Sequence, residues 1–111
     1  MAIFARNILF DCAVFFCAVV LVQSASSQTA EEIYKTKCAV CHAADGSGNT
    51  PAGKKMEVKS FSSPEVVKNS DAEWVEVTKN GKGKMPGYTG KLTDEQIKDV
   101  IRYIRSLAKA K

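Results

Sequence analysis

The stretch Lys35–Thr50, KTKCAVCHAADGSGNT, holds the only histidine of a 111-residue chain. His42 directly follows Cys38-Ala39-Val40-Cys41, so one imidazole stands beside two thiols separated by two residues. Thiols and an imidazole serve metal binding, redox exchange and covalent attachment of prosthetic groups, and the spacing decides among them.

CxxCH is the pattern for covalent attachment of c-type haem. Each thiol adds to one haem vinyl group, and two intervening residues let Cys38 and Cys41 reach the same porphyrin edge. His42, the next residue, then falls beneath the iron as proximal ligand. Ligation needs a neutral imidazole whose other ring nitrogen is held by an acceptor, and the Pro51 carbonyl is the candidate. A thioredoxin-like CxxC expects a strand before it and a helix after it. Here helical signals precede and a glycine-rich loop follows. Zinc needs a further thiolate or imidazole ligand, and none remains once the N-terminal segment is removed. A surface histidine beside a chance CxxC is the bland alternative.

That N-terminal segment reads as a secretory signal peptide over residues 1–25. A short basic start ending at Arg6 leads into the apolar run ILFDCAVFFCAVVLV, interrupted by Asp11, and then into small polar residues. Cleavage is expected between residues 24 and 30, with Ser24 and Ser26 preferred, and the run is short for a membrane span. Cys12 and Cys17 leave with it, so residues 26–111 form one domain of about 85 residues, small enough to need a staple beyond its own core. A Cys38–Cys41 disulfide closes too small a loop to supply one. A large flat apolar prosthetic group does supply one.

The net charge is +4, with lysines spread along the chain rather than blocked. This composition excludes a nucleic-acid binder and suits docking to an acidic protein patch. Helical signals dominate the rest. Thr29 with Glu32, Ser70 with Glu73, and Thr93 with Gln96 each make a capping-box pattern. Ser63 and Pro64 start a short helix, and Gly81 ends the one carrying Trp74 and Val77. Ile97, Val100, Ile101, Ile104 and Leu107 form a stripe at helical spacing. DGSGNTPAGKK reads as loop, stiffened by Pro51, and nothing suggests a sheet.

One histidine rules out bis-histidine coordination within the chain, and methionine thioether is the usual other axial ligand. Met85, in NGKGKMPGYTGKL, lies in a glycine-flanked loop before the last helix and is preferred over Met56, with core filling the bland reading of either. Trp74 is read as haem-edge or core packing. Tyr88 is read as meeting a haem propionate through its hydroxyl or packing at the surface. Lys54, Lys55, Lys82, Lys84 and Lys91 either ring an exposed haem edge or form an ordinary solvated surface.

In order, EEIYKTKCAVCH, DGSGNT, GKGKMPGY and LTDEQIKDVIRYIRSL resemble the class I cytochromes c, and within them the small bacterial, c6-like monohaem group. The resemblance spans residues 30–107. It implies an all-α fold, with short helices and long loops wrapped around one covalently bound haem c and its iron. It implies Cys38 and Cys41 as thioether anchors, His42 and Met85 as iron ligands, and Tyr34 packed with Val100 and Tyr103. Ala30 stands where many members carry glycine, and Gly87-Tyr88 where many carry alanine and phenylalanine. The expected function is a soluble periplasmic one-electron carrier, not an enzyme, monomeric, and shuttling between redox proteins with acidic docking patches. It is expected to have no stable membrane insertion after processing. The rival readings are a haem enzyme or gas sensor with an open or displaceable sixth site, and a membrane-tethered cytochrome domain of a larger complex.

Overall fold

The structure, a computed structural model, describes residues 28–111. The expected signal peptide and its cleavage sites at 24 and 26 lie outside these residues. The elements are α1 (Ala30–Ile33), a π-helical turn (Tyr34–Cys38), α2 (Ala39–His42), α3 (Pro51–Lys55), α4 (Pro64–Val67), α5 (Asp71–Asn80) and α6 (Asp94–Lys109). The described residues hold no strand, only the isolated bridges Lys82–Met85 and Thr89–Leu92.

All three capping boxes form as expected. Thr29, Ser70 and Thr93 each accept from the backbone N–H three residues on, while Glu32, Glu73 and Gln96 reach back to the cap's own N–H. Each box satisfies two donors that a helix start otherwise leaves open. Ser63 stands at the cap position of α4, but its hydroxyl donates to the Ser60 carbonyl at 2.8 Å and caps nothing.

Two local features depart from expectation. The first helix is not uninterrupted: Ala39 N–H donates to the Tyr34 carbonyl five residues back, which makes a π turn ahead of the cysteines. Such turns insert a residue and cluster at functional positions. Pro51–Lys55 is a helix rather than loop, because Thr50 Oγ1 accepts from Gly53 N–H at 2.9 Å and Pro51 sits at N1 with its φ already helical. Gly53 is required there, since a Cβ would lie 2.2 Å from the Cys41 carbonyl oxygen.

The core lies between the N-terminal helix and α6. Ile33, Tyr34, Ile97 and Val100 are fully buried, with Ile101 and Ile104 nearly so; Leu107 is only half-buried at the end of the stripe. The Tyr34 and Tyr103 rings meet at 5.3 Å between centroids, tilted by 55°. Each buried aliphatic side chain contributes about 1.5–3 kcal/mol of transfer free energy. Helix α5 closes the core with Trp74, which is buried.

Candidate haem site

The site is built from the C-terminal end of α2 and the loop after α5. Cys38 ends the π turn, and Cys41 and His42 end α2, so the three side chains leave adjacent turns of one helical segment. Both thiols are free. Burial pushes the Cys38 thiol up to about 11, against the smaller opposing effect of the Lys37 ammonium. Burial lowers the pKa of His42, which favours the neutral imidazole a metal needs.

Met85 is held by backbone. Lys82 and Met85 exchange two N–H···O bonds at 3.0 and 3.1 Å across Gly83-Lys84. Gly81, at φ 78°, lets the chain turn out of α5 into this hairpin; a Cβ there would stand 2.6 Å from the Met85 carbonyl oxygen.

His42 and Met85 line the same two spaces. An inner apolar cavity of about 200 Å³ is walled by Cys38, His42, Phe61, Trp74, Met85 and Ile101. An outer cleft of about 550 Å³ is walled by Cys41, His42, Met56, Val58, Met85 and Tyr88. Cofactor sites typically span ~300–1,000 Å³ and are apolar with a few placed polar groups. The buried Nδ1 of His42 has no hydrogen-bond partner. A neutral imidazole with an uncommitted nitrogen, a thioether and two thiols on an apolar wall fit a covalently held haem.

Several expected contacts are absent or different. Pro51 does not hold His42: Nδ1 is unpartnered, and Pro51 is exposed at the start of α3. Thr50 serves that end of the helix instead, its hydroxyl reaching the Val40 carbonyl at 2.8 Å. Tyr88 lines the outer cleft, but its hydroxyl donates to the Lys37 carbonyl at 3.0 Å, so its one proton is not available to a propionate. Trp74 is both core and cavity wall. Met56 lines the outer cleft alone and is 38% exposed. Lys82 and Lys84 line that cleft together with Lys37 and Lys59; Lys54, Lys55 and Lys91 are not on its wall.

Sequence reasoning passed over Phe61. Its ring stacks on His42 at 4.5 Å and 18°, and it reaches Trp74 at 5.5 Å. It arrives there through pairing of its N–H with the Gly46 carbonyl, a contact between two loops that no local pattern announces.

The family described as cytochrome c oxidase, cbb3-type, subunit III matches residues 25–104. A cytochrome c6 from Cyanidium caldarium is 35% identical over 107 residues, covering 93% of this chain and 94% of the relative. A cytochrome c6 from Gracilaria tenuistipitata var. liui is 33% identical, covering 84% and 83%. Among solved structures, the KustC0563 c-type cytochrome superposes with a TM-score of 0.66 at 27% identity, covering 72% of this chain and 98% of that one. The fold and its cofactor wall are those of a haem electron-transfer protein. The chain belongs to the small class I c-type cytochromes, all-α proteins that carry haem c and its iron covalently.

Proposed function

We propose that this protein is a periplasmic one-electron carrier whose haem iron is held between His42 and Met85. The observation that carries this reading is that these two side chains line both the apolar inner cavity and the outer cleft, with Cys38 on the shared wall. Residues 1–25 direct export and are removed, leaving 26–111 as the carrier domain.

When bound, the haem supplies a reversible iron(III)/iron(II) couple. Cys38 and Cys41 anchor it through two thioethers. His42 supplies a neutral imidazole, and the hairpin of Lys82 and Met85 presents the thioether without the cost of ordering a free loop. Thioether favours the reduced iron and so raises the potential relative to two nitrogen ligands. Trp74, Phe61 and Ile101 keep water from the inner wall. Two protein ligands leave no coordination position for substrate, so electron passage between proteins remains. Lys37, Lys59, Lys82 and Lys84 around the outer cleft favour partners with an acidic face and make association salt-sensitive.

The test is the absorption spectrum of the exported protein. Haem that survives acid–acetone extraction, with a long-wavelength sulfur-to-iron band lost in Met85→Ala, is expected. Covalent haem without that band, together with tight carbon monoxide binding, overturns the ligation and favours a sensor or enzyme.

The family match to an oxidase subunit favours a second reading, in which the domain works at an oxidase while tethered. An N-terminus of the mature protein that still includes residues 8–22 decides for it.

A further inference from the structure

Ala43 follows His42 directly and sits at φ 66°, ψ 159°. That region of backbone space is essentially reserved for glycine. The residue is buried. The three carbonyls before it are all taken. Thr50 Oγ1 reaches Val40 and Cys41 at 2.8 and 3.2 Å, and Gly48 N–H donates to His42 at 2.8 Å. These three bonds come from the loop just after the site. The Ala43 carbonyl is held twice, by the Gly46 N–H at 3.1 Å within the loop and, from the other side, by the hydroxyl of Tyr34 at 2.6 Å. Tyr34 is fully buried and opens the π turn ahead of the cysteines.

We propose that Tyr34 is a positioning residue for His42: its hydroxyl holds Ala43 in a glycine-like conformation and so sets the orientation of the imidazole plane. The inference rests on His42 being an axial ligand. The bond is needed because residue 43 carries a Cβ. With the carbonyl held only by the Gly46 N–H, the alanine shifts toward negative φ, and the Ala43–Gly48 loop that receives the His42 carbonyl moves with it. A phenylalanine at position 34 keeps the ring packing with Tyr103 and Phe61 but leaves the carbonyl to the longer Gly46 bond alone. The tyrosine ring and its hydroxyl therefore have separable roles, one in the core and one at the ligand.

The experiment compares haem-loaded wild type, Tyr34→Phe, Ala43→Gly, the double variant and Tyr103→Phe. The readouts are the proton NMR shifts of the haem methyls in the oxidised protein, which follow the orientation of the axial imidazole, and the reduction potential. Tyr34→Phe is expected to change the spread of methyl shifts and move the potential while keeping the haem covalent. Tyr103→Phe, which removes the neighbouring hydroxyl, is expected to change neither. The double variant is expected to return toward wild type, because glycine adopts the Ala43 conformation unaided. Wild-type shifts and potential in Tyr34→Phe overturn the inference, as does a double variant displaced as far as Tyr34→Phe alone. If Tyr34→Phe fails to accumulate with haem, recovery of loaded protein in the double variant supports the inference and no recovery overturns it. A wild type without histidine-ligated iron removes the ligand reading itself; histidine-ligated iron with an unaffected Tyr34→Phe removes only this inference.

Discussion

The guanidinium of Arg105 lies 3.7 Å over the Trp74 ring while its Nε donates to Asp71 Oδ1 at 2.8 Å. Its two terminal nitrogens take the Val67 and Asn69 carbonyls at 3.1 and 2.5 Å. One side chain of α6 thus closes the C-terminal end of α4, satisfies the turn into α5 and covers the indole that walls the inner cavity. The exposed ion pair with Asp71 contributes little, whereas the stacked cation and the two carbonyl bonds contribute more. Arg105→Ala is therefore expected to cost about 2 kcal/mol, read as a Tm lower by about 10 °C for a domain of this size. Arg105→Lys recovers only part of this, because an ammonium cannot fork to two carbonyls. A Tm of Arg105→Ala within a degree or so of wild type contradicts the account.

The two methionines separate by substitution. On the proposed His42–Met85 ligation, Met85→Ala is expected to lower the reduction potential and to abolish the sulfur-to-iron band. Met56→Ala, at a residue 38% exposed on the outer cleft alone, leaves both in place. Redox titration of the two variants side by side decides the assignment. Loss of the band in Met56→Ala instead reverses it.

Gly81→Ala tests the turn that delivers Met85. The residue is at φ 78°, and the added Cβ would meet the Met85 carbonyl oxygen at 2.6 Å and the Gly87 nitrogen at 2.8 Å. The turn must shift, which costs more than about 1 kcal/mol. The Tm drops by at least several degrees, and the sulfur-to-iron band weakens in the same variant. Gly90→Ala is the control: it also has positive φ, but nothing lies within 4 Å of its added Cβ, so it loses stability without touching the band.

Acid stability carries the signature of the capping box on α5. The Ser70 backbone N–H donates to the Glu73 carboxylate at 2.6 Å and holds its pKa below the ordinary value, with the Ser70 side chain acting in the same direction. The folded state therefore binds this proton less readily than the unfolded chain does. The stabilisation is complete above the unfolded value of about 4.3 and fades as pH falls through the lower folded value. Thermal unfolding of Glu73→Gln is expected to begin below wild type at about pH 7 and to converge with it under acid conditions. A gap that stays constant with pH assigns the effect elsewhere. Ser70→Ala removes the other half of the box and is expected to cost about 1 kcal/mol.

Much of this protein was legible without coordinates because the relevant physics is short-ranged. A capping box needs only a hydroxyl and a carboxylate or amide three residues apart, and all three boxes formed. The α6 stripe needs only the helical period, and four of its five members are buried. CxxCH needs only covalent reach, and the sequence by itself determined the cofactor class and the helical fold, while the family resemblance implied the packing of Tyr34 against Tyr103. Tertiary structure decided what depends on chain closure. Tyr88 gives its proton to Lys37 rather than to a propionate because a segment 51 residues away presents a carbonyl there. Phe61 reaches His42 through a loop-to-loop bond with Gly46, and Arg105 finds Trp74 from another helix. Pro51 opens a helix, with Thr50 capping that turn, and the His42 Nδ1 has no partner. Ala43 is the clearest case. Nothing about an alanine announces positive φ; a buried hydroxyl nine residues earlier accompanies that conformation, and only the folded chain brings the two together.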